Sequence, residues 1–181
     1  WLTIHVSLEA GSYGFLAPGA VIGLINLLLM LFLSEKNEKR VHRLVKELSS
    51  LSEMTLIGGL FMISIGTYLG GVWANESWGR YWGWDAKETW ALVTILVYAF
   101  ILHMRMIPGL QGLYAYNMTS LFGLASVIMT YYGVNYYLSG LHSYAAGDPV
   151  PVPDWVFIGT LALVALSALA YMRKRRFKLF G

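Results

Sequence analysis

The chain has 181 residues, 57% of them hydrophobic and 13% charged, with a formal net charge of +3. A mean hydropathy of +0.56 excludes an ordinary soluble domain and places the chain among polytopic membrane proteins, with the lipid bilayer as solvent for most side chains. Cysteine is absent, so these residues supply no disulfide, no thiolate metal site and no Cys nucleophile.

The chain opens at Trp1 with neither an initiator Met nor a signal-peptide pattern, and reads as a piece of a longer polypeptide. Hydropathy predicts five membrane spans, at residues 12–33, 54–73, 89–106, 113–138 and 155–172, each near the ~20 apolar residues that a helical crossing needs. Between the first two spans, residues 35–53 carry Lys36, Lys39, Arg40, Arg43 and Lys46, while Val41, Leu44, Val45, Leu48 and Leu51 recur at helical spacing. That pattern predicts an amphipathic helix lying on the membrane interface. The expected fold class is all-α, a polytopic membrane helix bundle of about five transmembrane helices.

Eleven of the thirteen Lys and Arg residues, including Arg105 and the run after the fifth span, fall on one side of this topology. The positive-inside rule makes that side cytoplasmic and turns the N-terminus, the loop 73–90 and the loop 139–154 outward. The positive charge is thus a topology signal and does not point to nucleic acid.

Five of the seven tryptophans lie at positions 73, 78, 82, 84 and 90, and the other two, Trp1 and Trp155, also fall at outward helix ends. An aromatic belt would occupy both interfaces. Trp78, Trp82 and Trp84 sit within the loop instead of at span ends, and read as a flat apolar platform with indole N–H donors. Asp85 and Glu88 match the Asp-x-x-Glu pattern of a helix capping box, which accounts for both carboxylates structurally. Arg80 and Lys87 are the only basic residues outside, able to pair with those carboxylates or to clamp the carboxylates of a ligand.

Of the four histidines, His42 belongs to the basic segment, whereas His5 and His142 flank the tryptophan loop on its own side. Imidazole is a common axial ligand of haem iron, so these two form a candidate ligand pair. His103 lies within the third span, toward its basic end, where an ionisable side chain is costly and points to function.

The run WGRYWGWDAKETWAL closely resembles the tryptophan-rich WWD signature shared by the CcmC, CcmF and CcsA branches of the haem-handling proteins of cytochrome c biogenesis. With WGWDAKETWAL and the later GLHSYA, the chain is most similar to the CcsA branch, including its fused CcsBA form, and looks like the C-terminal core of such a synthase. The resemblance implies that His5 and His142 ligate haem iron at an external site and carry the catalytic role. It implies that Trp78, Arg80, Trp82, Trp84, Asp85 and Trp90 are the surrounding haem-binding residues. It also implies that His103 ligates haem at a second, membrane-embedded site, whose other ligand comes from a helix outside this chain.

The implied activity is haem export across the bacterial inner membrane and its attachment, through thioether bonds, to the C-x-x-C-H motif of apocytochrome c. The implied partners are that acceptor, the lipid bilayer, and the rest of a CcsBA chain or a separate CcsB subunit. The alternative is a transporter or chaperone that presents haem to a separate lyase without forming the bond.

Overall fold

The computed structural model describes residues 1–141 and 151–177. Its elements are helical: α1 (Leu2–Leu31), α2 (Glu38–Trp78), α3 (Ala86–His103), α4 (Leu113–Ile128), α5 (Val134–Tyr137) and α6 (Asp154–Phe177). Among the described residues, four helices are long and apolar enough to cross a membrane: α1, α2, α6, and α3 with the short 3-10 turn that follows it. The predicted fourth span is α4, a π-helical segment Met129–Gly133 and α5, joined through helical backbone. The chain is therefore a multi-pass, all-helical membrane bundle.

Two elements differ from the sequence expectation. First, α1 begins at Leu2, so its 30 residues reach about 45 Å at ~1.5 Å per residue, and its first turns project past a ~30 Å hydrocarbon core. Second, the basic segment 35–53 is not a separate interfacial helix. It continues without a break into the second span as the 41-residue α2. Part of the apolar stripe that suggested a membrane-surface helix packs inside the bundle instead, while Leu44 and Leu51 stay exposed. Val41 and Val45 are buried in a cluster with Leu27, Met30, Tyr114, Leu121 and Ala170. A 3.6-residue apolar period serves a protein partner as well as a lipid one.

Helix α1 is the centre of the bundle, packing most extensively on α2 and also on α4 and α6. In lipid there is no hydrophobic drive between helices, so close approach of small residues and interhelical hydrogen bonds hold them together. A Cβ at Gly23 would lie 2.6 Å from the backbone oxygen of Asn117, and one at Gly59 would strike Leu16, 2.5 Å away. Both crossings need glycine.

Near the Gly23 crossing, Asn26, Asn117 and Ser49 form a buried network from three helices. Asn26 Nδ2 donates to Asn117 Oδ1 at 2.7 Å, and Asn117 Nδ2 donates to Ser49 Oγ at 2.7 Å. Helix α6 attaches along one side, through the Tyr114 hydroxyl donating to the Ser167 carbonyl and Arg173 Nε donating to the Leu33 carbonyl, both at 2.9 Å.

Candidate functional site

At the tryptophan end of the bundle, α2 runs through Trp78 and stops at Gly79, whose φ of 71° closes the helix in the left-handed region. This shortens the predicted loop to residues 79–85. The capping box expected from the sequence is present. Lys87 N donates to Asp85 Oδ2, while Glu88 Oε2 accepts from Asp85 N at 3.1 Å and from Gly83 N at 2.8 Å. Asp85 also reaches beyond the cap. Its Oδ1 accepts from the backbone N–H of Leu141 at 2.7 Å, fastening the chain after α5 to the start of α3.

Between these anchors Trp84 adopts φ of 57°, a conformation that costs a non-glycine residue about 1–2 kcal/mol. The residue is 71% exposed, and its ring meets Trp82 edge-on at 5.7 Å. The carboxylates of Asp85 and Glu88, bonded on either side, hold that turn. A loop under strain yet fixed at both ends presents its tryptophan outward as a rigid surface.

Behind the loop lies a cavity of about 220 Å³, enclosed by the first turns of α1, the last turns of α2 and the first turn of α3. His5, Tyr13, Trp73, Tyr81 and Trp82 contribute rings to its wall, and Glu9, Lys87 and Glu88 contribute charges. His5 Nδ1 lies 2.7 Å from the carbonyl of Gly66. A carbonyl only accepts, so Nδ1 carries the hydrogen and Nε2 is the basic nitrogen of the ring. The same arrangement orients metal-ligating histidines.

The imidazole lies against Gly70, where a Cβ would fall 2.6 Å from His5 Cε1 and 2.8 Å from Nδ1. One turn along α1, Glu9 accepts from Thr67 Oγ1 at 2.9 Å. Positions 5 and 9 share a helix face, so α1 presents an imidazole and a carboxylate in register with consecutive residues of α2.

The structure thus brings His5 and Trp82 into one cavity. Trp78 ends α2 and packs edge-on against Trp73 at 4.8 Å. Arg80 is exposed, its guanidinium lying against Gly83. Trp90 is in the second turn of α3, with the Thr130 hydroxyl 3.0 Å from its carbonyl. His142 lies outside the described residues, although its neighbour Leu141 is the residue tied to Asp85.

His103 is set apart as the last residue of α3, at the basic end of the bundle. Its Nδ1 is 2.7 Å from the Ala99 carbonyl, which again makes Nε2 the basic nitrogen. The residue is exposed and shares a helix face with the exposed Leu96 and Phe100.

Sequence reasoning did not single out Glu9, Tyr13, Thr67 or Gly70, which complete the cavity around His5. A signal for Glu9 was available: it is the one charged residue before position 35, in a segment the structure shows to be helical.

A family model described as cytochrome C assembly protein matches residues 1–142. Protein NrfI of Wolinella succinogenes is 50% identical over 171 residues, covering 94% of this chain and 19% of that protein. The cytochrome c biogenesis protein CcsA of Chlamydomonas reinhardtii is 40% identical over 145 residues, covering 80% of this chain and 40% of the relative. CcsA of Marchantia polymorpha is 36% identical over 183 residues, covering 80% and 57% respectively. The chain therefore spans well under two thirds of these relatives.

Proposed function

Because the chain belongs to the cytochrome c assembly protein family, we propose that it holds haem at the tryptophan end for covalent attachment to apocytochrome c. The observation that carries this reading is the setting of His5. Its ring is fixed by the Gly66 carbonyl and by Gly70, it has Nε2 as its basic nitrogen, and it stands in an aromatic-walled cavity beneath the strained loop.

The donor set suits a macrocycle. Among the described residues no three His, Asp or Glu side chains converge as a metal site, and haem iron asks the protein only for axial ligands. His5 supplies one. His142 is the proposed second, in a stretch anchored one residue earlier by Asp85. Trp82 and Tyr81 line the cavity and Trp84 extends the flat surface outside it, offering stacking area. Trp78, Trp90 and Asp85 brace this surface, and Arg80 and Lys87 are the cations at hand for the haem carboxylates.

In the attachment reaction a cysteine S–H of the acceptor adds across a haem vinyl group. Sulfur bonds to the carbon next to the ring and the proton goes to the terminal carbon, with no net change of oxidation state. The protein's contribution is to position the vinyl edge against the thiol, the proximity and orientation that dominate such catalysis. His103 is proposed as an iron ligand of a second site near the basic end, its exposed face completed by a helix from outside this chain. That helix would belong to the rest of a CcsBA-type chain or to a CcsB subunit. Charge asymmetry puts the basic end in the cytoplasm and the tryptophan end outside, in a bacterial inner membrane.

The test is to express the full-length protein with an apocytochrome bearing C-x-x-C-H and to measure covalent haem. Replacing His5 and His142 together by Ala should abolish attachment and change the haem spectrum. Unchanged attachment in the double variant would remove the ligand pair. Haem bound by the wild type with no covalent product, in an otherwise complete system, would favour presentation to a separate lyase.

A further inference from the structure

At the basic end of the bundle a second cavity, about 210 Å³, opens between α2, the end of α3 and the start of α4. Lys46, Ser49, Ser50 and Glu53 form its polar wall from a single face of α2, with Arg105 and Tyr116 across from them. Leu102 and Leu110 are among the residues that make the remainder apolar.

Hydrogen-bond accounting shows what this cavity asks for. Asn117 Nδ2 donates to the Leu113 carbonyl at 2.7 Å, which fixes the orientation of that amide, since a carbonyl can only accept. Asn117 Oδ1 therefore faces Asn26, and this fixes the Asn26 amide as a donor at 2.7 Å. Both amide nitrogens also reach Ser49 Oγ, at 2.7 Å and 3.2 Å. These two bonds use both acceptor positions of the Ser49 hydroxyl and leave its own proton to give.

No described residue takes that proton. Ser49 is only 5% exposed, and it lies on the cavity wall. A buried donor without an acceptor is costly, and the cavity is where an acceptor can reach it.

Charge narrows the acceptor further. Arg105 pairs with Glu53 at 2.9 Å, so the two cancel and Lys46 remains as one net positive charge on the wall. Lys46, Ser50 and Arg105 are exposed, placing the mouth of the cavity at the surface of the basic end. Met54 and Met106, each next in sequence to a lining residue, Glu53 and Arg105, expose large apolar side chains.

We propose that this cavity seats the phosphodiester headgroup of an anionic phospholipid. The monoanionic phosphate would accept from Ser49 and pair with Lys46, and the acyl chains would run along the neighbouring apolar surface. Basic pockets between helices at the cytoplasmic side suit such headgroups. A ligand with two carboxylates would leave one negative charge unmatched.

The full-length protein, exposed to phosphatidylcholine vesicles containing a minor fraction of phosphatidylglycerol and then analysed by native mass spectrometry, should retain phosphatidylglycerol selectively. Lys46→Gln should reduce that retention about fivefold, and Ser49→Ala should reduce it without removing any charge. Lys39→Gln, on the same helix but outside the cavity, should leave it unchanged. Equal retention of the two lipids by the wild type would overturn the proposal. Complete displacement by millimolar inorganic phosphate would assign the site to free phosphate and overturn the lipid assignment.

Discussion

Gly70→Ala separates the stability of the bundle from the position of His5. The added Cβ would sit 2.6 Å from His5 Cε1, 2.8 Å from Nδ1 and 3.1 Å from Nε2. Carbon contacts become favourable near 3.5 Å, so the ring must retreat by about 1 Å. That motion breaks the 2.7 Å bond to the Gly66 carbonyl, at a net cost of about 1 kcal/mol. Alanine in place of glycine inside a helix returns about 1 kcal/mol, so the two stability effects nearly cancel.

Function should respond differently. A misplacement of ~1 Å costs on the order of 100-fold in a reaction that depends on orientation. The expected result is a thermal midpoint within a few degrees of wild type, with covalent haem transfer to apocytochrome reduced about 100-fold and an altered iron–imidazole band. Wild-type attachment and spectrum in a correctly folded Gly70→Ala protein would refute the idea that the glycine sets the ligand.

Other expectations concern the frame around the site. Asp85→Ala should lower stability by about 1 kcal/mol through loss of the cap and also release Leu141, whereas Asp85→Asn should keep most of both; thermal unfolding in detergent would show it, and equal losses would count against capping. Gly23→Ala should cost about 1–3 kcal/mol by overpacking the α1–α4 crossing. Gly14→Ala, whose Cβ meets nothing within 4 Å, should be neutral or stabilising by the same measurement. Asn117→Leu removes the 2.7 Å acceptor of Asn26 and the 2.7 Å donor to Ser49, leaving only the longer 3.2 Å bond between those two, and should cost about 1–3 kcal/mol, read as a lower midpoint in denaturant unfolding.

Apolar run length made the membrane spans legible, because the bilayer imposes a length that few other constraints mimic. The capping box was legible for a similar reason: Asp85 and Glu88 satisfy a local rule that needs no tertiary information. The continuity of α2 was not. Val41 and Val45 carry the same period whether they meet lipid or Tyr114 and Leu121, and only the packed structure decides between them. His5 could be proposed from its chemistry and side of the membrane, but its fixed tautomer depends on Gly66, 61 residues away. Glu9 was missed because the predicted first span began after it, while the helix begins seven residues before it. The left-handed turn at Trp84 gave no sequence signal, since the left-handed region is normally marked by glycine or asparagine.

The π-helical segment Met129–Gly133 carries a consequence for length variation in this chain. A π turn accommodates one residue more than an α turn over the same rise, the geometry left by a single-residue insertion. Within it, Tyr131 reaches the cavity and meets Tyr13 edge-on at 6.0 Å, while the Thr130 hydroxyl contacts Trp90 and Thr94. Deleting one residue here would restore an unbroken α-helix at no cost to its backbone hydrogen bonding. The residues after the segment would keep their place, and Leu141 its bond to Asp85, because the π turn already absorbs the extra residue within its own rise. Within the turn one residue fewer would remain, so Thr130 and Tyr131 could no longer both hold their places against Trp90 and Tyr13. A shortening that costs the helix nothing would thus act on the cavity wall and on the Trp90 contact, and spare the anchor at Leu141.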